Sequence, residues 1–98
     1  MSVYLINGTP PQRWPAAEKH FRQMSVKYVR PALAYAQQMA ARPHYTPLKI
    51  SQIIRLIREL EKLNKLYTGP ITRDMEEVLS AADGFFRTAI TRLNQLDC

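Results

Sequence analysis

The chain has 98 residues, a formal charge of +6, 46% hydrophobic and 22% charged residues. That length supports one domain with a single modest core, and the balance excludes disorder along the whole chain. A lone cysteine, Cys98, excludes an intrachain disulfide and suits a reducing compartment, so the expected location is cytoplasmic. "MSVYLING" has no basic n-region, and no later run approaches the roughly 18 apolar residues that a spanning helix needs, so neither signal peptide nor membrane span is expected.

Residues 1–14 read as an extended arm. "SVYLI" followed by "NG" is a short β-favouring stretch ending in a turn. With no second strand candidate in the chain, it is expected to pack across the helices or to pair with a strand of another chain. "TPPQRWP" continues as proline-stiffened extended backbone, and Pro15 suits the first turn of a helix.

The first helix is predicted over about 15–41. Ala17, Phe21, Met24, Tyr28, Tyr35 and Met39 fall on one stripe at about 100° per residue, with Pro31 on the same stripe. Pro31 lacks the amide that would bond the Lys27 carbonyl, which predicts a kink near Arg30. Because the apolar phase reads the same on both sides, one kinked helix is expected. "RPHYTP" ends it, and Thr46 with Pro47 supplies a hydroxyl N-cap and a proline at the first helical position. Tyr45 and Ile50 have the spacing of a hydrophobic staple.

The second helix is predicted over 47–68. "TGP" closes it, with Gly69 expected in the left-handed C-terminal conformation and a proline that cannot continue the helix. The third, over 72–96, begins with Asp74, Glu76 and Glu77 and carries Arg87 and Arg92 late, as the helix dipole favours. Met75, Leu79, Ala82, Phe86, Ala89, Leu93 and Leu96 form a heptad seam, and Val78, Phe85 and Ile90 widen it beyond what one neighbour covers. Gly84, about 1 kcal/mol less favourable than alanine inside a helix, implies a bend or a close approach. Together these elements predict one all-α domain over 1–98, an up-down bundle of three helices with an extended N-terminal arm.

Catalytic motifs are missing from the sequence. His20 and His44 lie far apart, no CxxC or HExxH spacing occurs, and Gly8, Gly69 and Gly84 build no phosphate-cradling loop. Asp74, Glu76 and Glu77 cluster where dipole compensation explains them. The protein is therefore expected to be no enzyme and to use neither cofactor nor metal. His44, in a loop between Pro43 and Tyr45, is the better of the two histidines for contact with a partner, although loop packing explains it as well.

Charge is the remaining signal. Residues 1–47 carry +5, residues 48–68 carry +3 and residues 69–98 carry −2. In the second helix Arg55, Arg58, Lys62 and Lys65 form a ridge roughly 15 Å long, opposite an arc of Ile50, Ile53, Leu56, Ile57, Leu60, Leu63 and Tyr67. Lys19, Arg22, Lys27 and Arg30 form a comparable arc on the first helix. Such rows suit nucleic-acid backbone or an acidic protein. They equally describe the solvated side of a bundle helix, with Glu59 and Glu61 spaced to pair with Arg58, Lys62 or Lys65. Trp14, Tyr4 and Tyr45 are the candidates for stacking on bases, or else close the ends of the core.

The expectation is thus a non-enzymatic binding subunit or regulator, a homodimer or part of a larger assembly, with nucleic acid the first guess for its acidic partner. The alternative is a pure protein-interaction module, an adaptor, chaperone or inhibitor. A membrane-surface helix fits less well, because Pro47 and Gly69 cut the second helix to bundle length.

Overall fold

A computed structural model describes residues 12–97. The expectations placed on "SVYLI", Tyr4 and Cys98 lie outside these residues. The protein is an all-α three-helix bundle. Helix α1 spans 15–40 in three pieces: α-helical Pro15–Met24, π-helical Ser25–Val29 and α-helical Arg30–Ala40. Helix α2 is Pro47–Thr68, and a short 3-10 turn, Arg73–Met75, leads into α3, Glu76–Leu96.

Proline is accommodated in α1 by a π turn. The Arg30 amide donates to the Ser25 carbonyl, five residues back, immediately before Pro31. A π turn holds one extra residue and therefore rotates the face that follows. This corrects the stripe read from the sequence. Ala17, Phe21 and Met39 are buried, but Tyr28 is 56% exposed and Pro31 is exposed, while Ser25 and Val29 are buried in their stead. The apolar phase is not the same on both sides of Pro31, and the π turn absorbs the difference.

Helix α2 begins as its residues dictate. Pro47 occupies the first turn, and the Thr46 hydroxyl accepts from the Lys49 amide at 3.2 Å. At its other end Gly69 is extended (φ −84°, ψ −176°) rather than left-handed. Glycine suits this position for a different reason: a Cβ here would lie 3.2 Å from the Lys65 carbonyl oxygen, which already accepts from the Gly69 amide at 3.0 Å.

Packing order follows from which residues meet. Arg22 reaches Tyr67 and Ser25 reaches Asn64, so α1 and α2 run antiparallel. A groove lined by Leu66 with Val78 at one end, and another by Gln52 with Leu96, set α3 antiparallel to α2. Helix α2 thus lies between its neighbours and contacts both, burying Ile53, Leu56, Leu60, Leu63 and Tyr67. The heptad seam of α3 buries Leu79, Ala82, Ala89 and Leu93, with Met75, Phe86, Ile90 and Leu96 packed at its edges. Val78 and Phe85, which widened the seam in sequence, stay exposed.

Helices α1 and α3 are tied at both ends. At one, residues 12–14 lie antiparallel to 71–73: the Trp14 amide donates to the Ile71 carbonyl at 2.9 Å, and the Arg73 amide donates to the Gln12 carbonyl at 3.2 Å. At the other, the Asp97 carboxylate accepts from the Tyr35 hydroxyl, the Arg42 guanidinium and, at 2.9 Å, the Tyr45 hydroxyl. Two part-buried polar contacts fix the register of α1 on α2: the Ser25 hydroxyl donates to the Asn64 side-chain oxygen, and the Arg22 guanidinium to the Tyr67 carbonyl.

Candidate anionic-partner interface

On α2 the cationic row follows from the spacing of the core. Arg58 lies two residues from Leu56 and from Leu60, and Lys65 two from Leu63 and from Tyr67, about half a turn from the buried arc. Arg55 and Lys62 lie on the same outer surface, nearer α3. All four side chains are exposed, and none takes part in an ion pair among the described residues. Glu59 and Glu61 are also exposed, and neither bridges to the row.

The cations of α1 divide. Lys19 stands midway between buried Ala17 and Phe21, and Lys27 midway between buried Ser25 and Val29, so both face away from α2. Arg30 is exposed beside them. Arg22 is different: its guanidinium donates to the Tyr67 carbonyl at 2.6 Å and to Glu18 at 3.2 Å, satisfying a carbonyl of the last turn of α2. Glu18 also takes the guanidinium of Arg13, with Nε at 2.8 Å from its carboxylate, and this partner holds the Glu18 carboxyl below its usual range. Arg22 therefore belongs to the α1–α2 contact, and Lys19 and Lys27 diverge from the α2 ridge instead of extending it.

The aromatic candidates are engaged at the ends of the bundle. Trp14 is half-buried against the core, with the Arg73 guanidinium 5.5 Å from its ring centroid. Tyr45 donates its hydroxyl to Asp97, and its ring lies 4.7 Å from the Lys49 ammonium and 5.5 Å from the Arg42 guanidinium. His44 is exposed, its ring edge-on to Tyr45 at 4.7 Å. The three donors on Asp97, Tyr35 foremost, hold its carboxyl down at about 2. Tyr67, whose hydroxyl donates to Asp83 at 2.5 Å, is pushed well above the usual phenol range by burial first and that bond second.

Two features of this surface were not read from the sequence. Arg92 of α3 joins Arg55, with Gln52 and Gln95, around a groove of about 310 Å³ floored by Leu56 and Leu96. The antiparallel pairing of α2 and α3 brings them together across 37 residues of sequence, and no local spacing announces it. Further along the same helix pair, Leu63, Leu66, Val78, Ala81, Ala82 and Phe85 line an apolar groove of about 500 Å³, with Lys62 and Glu59 at its rim. The exposed apolar members of the α3 sequence were its signal.

Among the described residues no three His, Cys, Asp or Glu side chains form a group able to hold a metal, and no helix is long and apolar enough to cross a membrane. Comparison of the chain with protein-family models, with curated proteins and with solved structures finds no match.

Proposed function

We propose that the protein is a non-enzymatic binding subunit or regulator, working in the cytoplasm as a homodimer or within a larger assembly, and that the outer ridge of α2 contacts an anionic backbone, nucleic acid first. The observation that carries this reading is the state of Arg55, Arg58, Lys62 and Lys65: four exposed cations on one rigid helix, outside every ion pair of the described residues although two glutamates share the helix. A ridge about 15 Å long spans a few successive phosphates, and a helix holds its charges at fixed spacing without further ordering. Trp14 and Tyr45 are engaged in the bundle, so the reading rests on phosphate contact and not on base stacking.

The test is binding of the full chain to generic RNA or single-stranded DNA at about 50 mM salt, followed to higher salt. Expected are measurable binding at low salt, progressive loss as salt rises, and abolition by reversing the four charges together. Absence of binding at low salt refutes the reading. The second reading, a protein-docking module, is favoured by one separate observation: Val78 and Phe85 remain 54% and 69% exposed beside an apolar groove.

A further inference from the structure

The exposed side of α3 is self-complementary, and we infer that a second copy of this chain covers it, the two α3 helices packing antiparallel about a two-fold axis. This rests on the subunit half of the reading above and not on its nucleic-acid half. Along this side stand, in order, Glu77, Val78, Ala81, Gly84, Phe85 and Arg92, all exposed and confined to about a third of the helix circumference. Its N-terminal end is acidic, with Asp74 beside Glu77; its middle is apolar or small apart from Thr88; its C-terminal end carries Arg92 with Gln95.

An isologous interface requires each residue to meet its mate across the axis, so charge and apolar features must share one midpoint. They do. The midpoints of Asp74 and of Glu77 with Arg92 fall at residue 83 and between 84 and 85, and that of Val78 and Phe85 falls between 81 and 82, all within about 5 Å along the axis. With the two-fold at this level, Phe85 of one copy comes to the height of Ala81 in the other. There the groove floored by Leu63 and Ala82 lies open to receive it. The acidic start of each α3 then lies against the other copy's Arg92, giving charge complementarity at both ends.

Gly84 fits the same arrangement. A Cβ added there meets nothing within 4 Å, so nothing among the described residues requires glycine at this exposed mid-helix position. Small residues at a helix contact shorten the distance between axes, and Gly84 with Ala81 would let the two α3 helices approach closely enough for Phe85 to reach the groove.

The test is sedimentation equilibrium of the full chain over a concentration series, with two substitutions at exposed positions, Phe85→Glu and Val78→Asp. Helical content by circular dichroism checks that each variant folds. Expected is a dimer whose dissociation constant rises at least about tenfold in either variant, as for loss of an interface anchor. Cysteine cross-linking on a Cys98→Ser background reports the direction. Gly84→Cys is expected to link to itself, Asp74→Cys to Arg92→Cys in mixed chains, and Arg92→Cys not to itself. A chain that stays monomeric near millimolar concentration overturns the inference, as does a dimer indifferent to both substitutions or one that self-links through Arg92→Cys. Reversing Arg58 and Lys65, the two ridge cations that line neither α2–α3 groove, is expected to weaken nucleic-acid binding and leave the dimer intact, so failure of the nucleic-acid reading and failure of this one give different results.

Discussion

At the residue scale, Asp97 gathers more polar contacts than any charge in the cationic row. It draws together the last turns of α1 through Tyr35, the α1–α2 loop through Arg42 and Tyr45, and the end of α3 on which it stands. These donors stabilise the carboxylate, lowering it from an ordinary 3.8 to about 2 in the folded chain. A carboxyl depressed on folding contributes stability that is complete above its unfolded value and is lost as pH falls through the folded one. Thermal melts of the chain are therefore expected to decline between about pH 4 and pH 2, and Asp97→Asn should be less stable at neutral pH and flatter across that window. Equal pH profiles for the two proteins would count against the corner as a stabilising feature. In the sequence Asp97 is one acidic residue near the end of a helix, where the dipole disfavours it; only its three partners, each more than fifty residues away, explain its presence.

At the scale of elements, the boundaries were legible because proline, glycine and capping residues act locally. Thr46 with Pro47 began α2, and "TGP" ended it, where the backbone does. The face of α1 was not legible to the same degree. Its seam residues were assigned by a constant 100° per residue, and the π turn Ser25–Val29 breaks that constancy by one position. The shift has a measurable consequence. Val29→Ala is expected to destabilise the protein by about 1–3 kcal/mol, since it removes methyl groups from a fully buried site, whereas Tyr28→Ala should stay within about 0.5 kcal/mol despite its larger size. Chemical denaturation of the two variants checks this, and the reverse order would restore an uninterrupted α-helix. The same turn buries Ser25 beside Asn64. Asn64→Leu should cost about 1–3 kcal/mol because it leaves that hydroxyl without a partner, and adding Ser25→Ala should recover part of the loss.

For the whole molecule, the distribution of charge matters more than its sum of +6. Because α2 lies between α1 and α3, its outer ridge is the cationic surface that a rigid partner meets along one helix, while Lys19 and Lys27 point off another side. Four phosphate contacts on a single strand predict a slope of about −3 in the logarithm of affinity against the logarithm of salt. Charge reversal at Arg55, Arg58, Lys62 and Lys65 should abolish that binding while each exposed change shifts stability by no more than about 0.5 kcal/mol, which separates a lost contact from a lost fold. Titrations at several salt concentrations with a melt of each variant check both halves. A slope near zero would place the binding elsewhere than on phosphate.

Residue spacing and capping chemistry, which act within a few turns, were enough to read three helices, both ends of α2 and its amphipathic form with a cationic outer row, although the start of α3 falls at Glu76, after a 3-10 turn, and not at Thr72. Tertiary structure decided the rest. It took Arg22, Arg42, Trp14 and Tyr45 into the bundle, left Val78 and Phe85 outside it, and joined Arg55 to Arg92. A cation in a helix reads the same whether it meets solvent or a carbonyl 45 residues away; only the packed neighbour tells which, because a hydrogen bond forms with whatever the fold brings within reach.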